Sequence, residues 1–193
     1  MQIVSAVETN PDREPSSSSE QSRGIVNDMS DAPSPAIQDF YPDDFAHCYG
    51  CGRLNPDGLH IKTRWDGEEA VATFTPREEH ISVPGFVYGG LLASLIDCHA
   101  MGAAAAAVER ALGRQIGEAT APRFVTGALK VDYLKPTPHG EALTLRARIR
   151  DIGPRKVLVD VSLSAGGVET VRGEVVAVRM PDSMRQSEPS VIR

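Results

Sequence analysis

One stretch limits the possible folds of this chain more than any other: residues 89–112, which read GGLLASLIDCHAMGAAAAAVERAL. The stretch is rich in Ala and Leu and is apolar on nearly all sides, which is typical of a helix that is buried in a core or spans a membrane. Asp97 lies well inside it, and an ionisable group at the middle of a bilayer costs about 2.5–3.5 kcal/mol on insertion scales. We therefore predict a buried helix and no membrane contact.

Segments in which apolar and polar residues alternate predict β-strands on both sides of this helix. Two precede it and four follow it: GLHIKTRW (58–65), AVATFTP (70–76), GALKVDYLKP (127–136), ALTLRARIR (142–150), KVLVDVSLS (156–164) and VETVRGEVVAVRM (168–180). Short connections such as Asp66-Gly67 and Gly166-Gly167 favour antiparallel pairing. Because a single helix must cover the buried face, we predict an α+β fold in which a curved sheet of five to six strands wraps one long helix.

Composition sets the domain limits. Residues 1–40 are rich in Ser, Pro and acidic residues and predict a disordered acidic tail, residues 181–193 predict a second tail, and residues 41–180 form the predicted domain. The formal net charge of the 193-residue chain is −6, and beyond residue 40 the chain has 19 acidic and 18 basic residues. This near-neutral domain has no basic excess that would favour nucleic acid as a partner.

The chain has three cysteines, which do not suggest a disulfide framework. The first residues, MQIVSAVETNPDREP, lack a basic segment followed by a long apolar one, so we predict no secretory signal and a reducing, cytoplasmic location. Cys48-x-x-Cys51 with His47 and His60 could indicate zinc, but a second paired motif is missing. We favour a turn with packed thiols and predict neither a metal nor a cofactor.

The start of the predicted helix has the features of an anion-stabilising site. Pro84-Gly85 predicts a turn, so Gly89 and Gly90 fall at the helix N-terminus, where backbone N–H groups have no internal acceptor. Asp97 follows eight residues later, about 12 Å along the axis, whereas catalytic groups must lie about 3 Å from a shared reacting group. Two helices running antiparallel across a dimer interface could satisfy both distances. A simple turn and a structural aspartate remain the alternatives.

Three segments together resemble one family. PGFVYGGLLASLIDCHAMGAA (84–104) resembles the helix signature of hotdog-fold acyl-CoA thioesterases of the phenylacetate-degradation type, VTGALKVDYLKPTPHG (125–140) resembles their following strand, and CYGCGRLNPDGLHI (48–61) resembles a frequent entry segment. The resemblance implies a helix wrapped by an antiparallel sheet. It also implies a homodimer or homotetramer that hydrolyses an acyl-CoA thioester to free acid and CoA.

The resemblance assigns expected roles to three residues. Gly89 matches the amide of the family's oxyanion hole, Asp97 matches the acid that activates water or attacks the thioester, and Thr126 matches a hydroxyl that orients the water or the acid. Gly90 adds a second amide beside the first. Tyr88 stands where the family commonly has His, a departure that affects the substrate and the rate more than the fold.

Further residues are candidates for substrate binding. The resemblance places CoA phosphates near basic surface residues, for which Arg155 and Lys156 are the candidates, and Ser82 could line the site. His99, two residues after Asp97, points to the opposite side of the helix and is predicted to be a hydrogen-bonded core residue.

Two other functions remain open. The Tyr at position 88 is compatible with a non-catalytic acyl-CoA binding module. HISVPG (80–85) is weakly similar to the His that precedes Pro-Gly in hotdog dehydratases, so a dehydratase or hydratase is the second alternative, although His80 is more simply a loop residue.

Overall fold

A computed structural model of the chain describes residues 35–184, which contain one α-helix, six β-strands and four short 3₁₀ helices. In chain order the regular elements are β1 (Arg64–Asp66), β2 (Glu69–Phe74), α1 (Gly89–Ala111), β3 (Phe124–Tyr133), β4 (Leu143–Ile152), β5 (Lys156–Ala165) and β6 (Val168–Arg179). The predicted tails lie outside the described residues, except for 35–40 and 181–184. Every strand predicted from residue 70 onward is present.

The six strands form one antiparallel sheet in the order β1-β2-β4-β5-β6-β3. β3 directly follows the helix in sequence but pairs with β6, the last strand. As a result β3 lies at one edge of the sheet and β1 lies at the other. This order confirms the predicted wrapping of a sheet around one helix, the hotdog fold.

The core lies between α1 and the concave face of the sheet. Leu95 and Ile96 of α1 are fully buried, as are Leu143, Leu145, Val157, Val159 and Leu163 of β4 and β5. The strand residues follow the predicted alternation, since every second residue points toward the helix. The Ala-rich half of α1, Ala103–Ala107, is also buried because small side chains let the sheet approach closely.

α1 is long enough and apolar enough, with a mean hydropathy of 1.6, to meet the length and composition criteria for a membrane span. However, 83% of that stretch is buried within the protein. Burial of this extent is the property of a core helix, as the position of Asp97 within the run predicts.

The predicted strand over residues 58–65 is wrong for most of its length, because only Arg64 and the two residues after it form β1. The backbone of this segment bonds to other partners: the Leu59 N–H donates to the Tyr49 carbonyl at 2.7 Å and the Ile61 N–H donates to the Gly50 carbonyl at 3.0 Å. Between them, His60 has a positive φ of 53°. Leu59, Ile61 and Thr63 are nevertheless buried at every second position, which is why the pattern imitates a strand.

A buried polar network anchors the residues before this segment. Gln38 is 1% exposed, its amide donates to the Thr63 hydroxyl at 2.9 Å, and that hydroxyl lies 3.0 Å from His99 Nδ1. His99 Nε2 lies 3.1 Å from the Ala70 carbonyl, and burial lowers the His99 pKa to about 4. His99 is therefore a neutral core residue, as predicted. The burial of Gln38 shows in addition that the packed part of the chain begins before residue 41, earlier than predicted.

Candidate functional site

The first turn of α1 leaves two backbone donors free. Tyr88, the residue before the helix, has an extended backbone with ψ 127° and provides no side-chain cap. Its carbonyl accepts from Leu91 and Leu92, so among the described residues the N–H groups of Gly89 and Gly90 have no acceptor. Both amides lie at the positive end of the helix dipole, where they can stabilise an oxyanion.

Two tyrosine rings lie against these glycines. The Tyr133 hydroxyl donates to the Gly89 carbonyl at 2.8 Å, so the far end of β3 is fixed beside the helix start. A Cβ on Gly90 would lie 2.5 Å from the Tyr88 ring, whereas a Cβ on Gly89 would keep an ordinary 3.4 Å from Tyr133. A side chain at position 90 would therefore displace the Tyr88 ring. Apart from its place in a predicted strand, no sequence feature indicated this role of Tyr133.

Asp97 and Thr126, both predicted site residues, are in contact: the Thr126 hydroxyl donates to Asp97 Oδ1. Asp97 lies on α1 and Thr126 on β3, and a shift in the β3–β6 register falls between Thr126 and Ala128, at Gly127. A β-bulge of this kind re-aims neighbouring side chains. A Cβ on Gly127 would lie 2.6 Å from Val178, so the bulge is formed by a residue that must lack a side chain.

The Asp97 carboxylate is electrostatically suited to accept a proton. Burial raises its pKa above the ordinary value, the hydrogen bond from Thr126 opposes this rise, and the negative charge of a Cys48 thiolate adds to it. A raised pKa makes a carboxylate a stronger base once it is ionised. The residue is only half-buried and is thus open to a reacting molecule.

One protomer does not bring all the predicted catalytic residues together. Asp97 is about 12 Å along the helix axis from Gly89, at about 1.5 Å per residue, so the acid and the free amides form two half-sites. β3 connects them, since Thr126 contacts Asp97 at one end of the strand and Tyr133 contacts Gly89 at the other. Residues 126–130 between these ends are exposed, although β3 lies at a sheet edge beside the core.

A cavity of about 350 Å³ lies beside the helix start, and the residues that line it are Tyr49, Arg77, Glu79, His80, Tyr88, Gly90, Leu91 and Ser94. It contains the predicted binding residue Tyr88 and one of the two free amides. Its mixed lining offers apolar surface together with groups that donate hydrogen bonds. The cavity is therefore the nearest candidate for an acyl-binding pocket.

His80, which the sequence predicts to be a loop residue with a weak similarity to the dehydratase histidine, lines the same cavity. It ends a 3₁₀ turn, is 8% exposed, and its Nδ1 accepts from the Arg77 N–H at 3.0 Å. Its carbonyl accepts from the Tyr88 N–H at 2.9 Å, so it is fixed against the residue that precedes the helix. Burial lowers the pKa of His80, which favours a neutral imidazole. The position of His80 before Pro84-Gly85 is the sequence feature that could have indicated its place beside the cavity.

The remaining predicted binding residues lie at the periphery. The Ser82 hydroxyl donates to the Phe86 carbonyl at 3.4 Å, and Ser82 does not line the cavity beside Tyr88. Arg155 and Lys156 are exposed at the β4–β5 connection. Val178 of β6 lies between Lys156 of β5 and Val125 of β3, and Val125 directly precedes Thr126. The two basic residues are thus at the same end of the sheet as the Asp97–Thr126 pair.

The comparisons with known proteins agree with this architecture. A family model for the thioesterase superfamily matches residues 84–172. A crystal structure of a thioesterase superfamily protein from Shewanella loihica PV-4 is 46% identical, covers 72% of this chain and 98% of its own, and has a TM-score of 0.55. A search of curated proteins gives no match.

Two more distant structures share the fold. The PaaI protein of the Escherichia coli phenylacetic acid degradation operon is 22% identical, with a TM-score of 0.52 over 64% of this chain and 81% of its own. A phenylacetic acid degradation-related protein from Ralstonia eutropha JMP134 is 19% identical, with a TM-score of 0.50 over 62% of this chain and 85% of its own. At these identities the likeness extends to the fold alone.

Proposed function

Since the chain belongs to the thioesterase superfamily, we propose that it hydrolyses an acyl-CoA thioester to a free acid and CoA, at sites shared between two protomers. The observation that carries this proposal is the arrangement of the two half-sites. One half-site has the free amides of Gly89 and Gly90, and the other has the Asp97 carboxylate with its Thr126 hydrogen bond. Each half-site lacks what the other supplies.

The positions of the two half-sites along β3 support a shared site. Thr126 and Tyr133 mark the two half-sites along β3, and the midpoint between them falls at Leu129 and Lys130. If two β3 edges pair antiparallel about a two-fold axis at that midpoint, each Thr126 faces Tyr133 of the other protomer. Asp97 of one protomer then lies across from Gly89 of the other, so one reacting carbonyl can meet both groups.

The exposed surface around β3 also favours a dimer. Leu129, Tyr133 and Leu134 are between 38% and 55% exposed, and Phe86 and Tyr88 beside the helix start are 40% and 57% exposed. An unpaired sheet edge with apolar neighbours is a surface that pairs with another strand. Pairing there would bury these side chains and leave the ends of β3 next to the catalytic groups.

The proposed reaction follows from the two half-sites. The thioester carbonyl oxygen accepts hydrogen bonds from the Gly89 and Gly90 N–H groups, and Asp97 of the second protomer takes a proton from water as the water oxygen attacks the carbonyl carbon. The amides stabilise the tetrahedral oxyanion, a contribution of about 2.7–4 kcal/mol for one such donor. The carbon–sulfur bond then breaks, the CoA thiolate is protonated, and the free acid leaves.

Within this proposal the other residues bind and position the substrate. Thr126 holds the carboxylate through its hydrogen bond. Tyr88 and the cavity of about 350 Å³ beside it would receive the acyl group. The exposed Arg155 and Lys156 would attract the CoA phosphates.

Release of free thiol from a panel of acyl-CoA esters tests the proposal, with Asp97→Asn as the matched variant. We expect the wild-type chain to hydrolyse at least one ester, and the variant to keep its fold and ester binding while turnover is abolished. Circular dichroism and calorimetric titration with the same ester check the fold and the binding. Full turnover in Asp97→Asn would reject the mechanism, and tight ester binding without thiol release in the wild type would indicate a non-catalytic binding module.

A hydratase or dehydratase is the second candidate, and His80 is the observation that favours it. A neutral histidine that is fixed beside Tyr88 and lines the same cavity could move a proton to or from an acyl chain. An assay of enoyl-CoA hydration, which is measured as the loss of absorbance of the conjugated double bond, distinguishes the two functions. Hydration that is lost in His80→Gln, but is kept in Asp97→Asn, would favour this candidate over hydrolysis.

A further inference from the structure

Three cysteine side chains meet between α1 and the segment before β1. Among the described residues, the sulfur atoms of Cys48, Cys51 and Cys98 all lie within 4.8 Å of one another, and those of Cys48 and Cys98 are 3.8 Å apart. All three are free thiols, Cys51 and Cys98 are buried, and Cys48 is half-buried. The sequence motif suggested His47 and His60 as possible partners of the Cys-x-x-Cys pair and favoured packed thiols without a metal, because Cys98 is remote in sequence.

Cys48 and Cys51 lie on one tight turn. The Gly52 N–H donates to the Cys48 carbonyl at 2.7 Å, which closes the turn. The turn keeps the two sulfur atoms within 4.8 Å of each other, close enough to bind one metal ion.

Two glycines shape this turn, and one of them, Gly50, makes room for the third sulfur. A Cβ on Gly50 would lie 2.2 Å from the Cys98 sulfur, and a Cβ on Gly52 would lie 2.4 Å from the Cys48 backbone nitrogen. Neither distance is possible for a side chain. The turn is therefore shaped so that Cys98 of α1 can approach Cys48 and Cys51 directly.

We propose that Cys48, Cys51 and Cys98 together bind one Zn²⁺ ion, with a non-protein ligand such as water in the fourth position. A zinc–sulfur bond of about 2.3 Å in tetrahedral geometry separates two sulfur ligands by about 3.8 Å. The Cys48–Cys98 separation of 3.8 Å agrees with this value. Thiolates are soft ligands that select zinc over magnesium or calcium.

The histidines near the motif are not part of this group. His47 is exposed, and the His60 ring bonds to the Asn55 carbonyl instead. Neither belongs to the cluster that the three sulfurs form. The third protein ligand therefore comes from the central helix, which the spacing of the motif could not indicate.

A bound ion would join the turn to the helix beside the catalytic candidate. Cys98 directly follows Asp97, and Tyr49, which lies between the two turn cysteines, lines the cavity beside Tyr88. The carbonyls of Tyr49 and Gly50 accept from Leu59 and Ile61. The ion would hold this whole segment against α1. Because the site does not depend on thioester hydrolysis, it can be tested without a substrate.

Cobalt(II) titration of the full reduced chain tests the proposal. We expect thiolate-to-cobalt charge-transfer bands and the visible bands of a tetrahedral ion, which saturate at one cobalt per chain and disappear when zinc is added. Cys48→Ser, Cys51→Ser and Cys98→Ser should each weaken zinc binding by more than the factor of about 10–100 that is typical for loss of a supporting hydrogen bond. His47→Ala is the matched control, with zinc affinity unchanged.

The outcomes separate the possible roles of the cluster. Absence of cobalt–thiolate bands in the wild-type chain overturns the proposal, as do bands that survive in Cys98→Ser. A disulfide between Cys48 and Cys51 in the protein purified without reductant, together with no zinc binding after reduction, also overturns it. Because the buried Cys98→Ser could fail to fold, the half-buried Cys48→Ser provides an independent test, and circular dichroism verifies the fold of both.

Discussion

At the scale of single residues, the Gly89 N–H is the proposed catalytic group that can be removed with the least disturbance. Proline is favoured at the first position of a helix, where its missing N–H breaks no internal bond. Tyr88 already has the extended backbone that a residue before proline adopts. The helix start is thus compatible with a substitution that removes one donor and leaves the rest of the site in place.

Gly89→Pro is expected to lower kcat/KM by about 10²–10³ because one oxyanion donor is lost. Gly89→Ala is the matched control, since it keeps the N–H and its Cβ would lie an ordinary 3.4 Å from Tyr133. Steady-state thiol release measures both variants, and circular dichroism verifies the helix. Equal activity of the two variants would show that the Gly89 amide does not contact the reacting oxygen.

Thr126 holds the carboxylate of Asp97, and loss of a hydrogen bond to a charged group costs about 1.5–3 kcal/mol. We expect Thr126→Val to lower kcat by about 10–100-fold, with little change in KM. Thr126→Ser keeps the hydroxyl and should retain most of the activity. If serine fails to restore the rate that valine loses, the hydrogen bond is not what positions Asp97.

At the scale of elements, α1 and β6 approach each other most closely at one glycine. A Cβ on Gly173 would lie 2.4 Å from Cγ2 of Ile96, and Ile96 is fully buried. The β6 backbone cannot move away without disturbing its register with β3 and β5 on its two sides. The size of the side chain at position 173 thus limits how closely the sheet can wrap the helix.

Gly173→Ala is expected to destabilise the protein by about 1–3 kcal/mol through overpacking. Ile96→Ala removes Cγ2 and should cost about 2–5 kcal/mol alone. The double variant should be more stable than the sum of the two losses predicts, because each change makes room for the other. Urea unfolding measures the free energy of all four proteins, and strictly additive values would contradict the close contact.

The elements also show where sequence patterns succeed and where they do not. The period of two in β4, β5 and β6 and the apolar run of α1 predicted these elements within a few residues, since periodicity reports which face is buried. The same alternation over residues 58–65 predicted a strand that is largely absent. There Leu59 and Ile61 are buried, but their N–H groups bond to the turn at Tyr49 and Gly50.

At the scale of the whole molecule, the midpoint of β3 is where a second protomer is expected to pair. A residue near a two-fold axis meets its own copy, so a charge placed there repels itself. We expect Leu129→Asp to convert a dimer to a monomer and to abolish thiol release. Analytical ultracentrifugation and the activity assay measure the two effects. Val168→Asp, at the first residue of β6, which is 46% exposed, is the control that should remain dimeric and active.

Mixing the inactive Asp97→Asn variant with the strongly impaired Gly89→Pro variant tests whether the sites are shared. In a heterodimer of Asp97→Asn and Gly89→Pro, one site has both defects and the other has none. We therefore expect activity to return when the two variants are unfolded and refolded together, to a substantial fraction of the wild-type value. Mixtures that stay inactive, although mass spectrometry detects the heterodimer, would mean that each protomer contains its own complete site.

The sequence by itself determined α1, the strands from residue 70 onward and the buried faces of β4 and β5, because local periodicity is written along the chain. Residue chemistry indicated Gly89, Gly90 and Asp97 as catalytic candidates, and the family resemblance added Thr126. Only the tertiary structure decided which distant residues meet. The strand order places β3 at an edge, the bulge at Gly127 lies beside the Thr126 hydroxyl that donates to Asp97, and packing of the turn on α1 brings Cys98 to Cys48. These contacts join residues far apart in sequence, so no pattern within one segment could specify them.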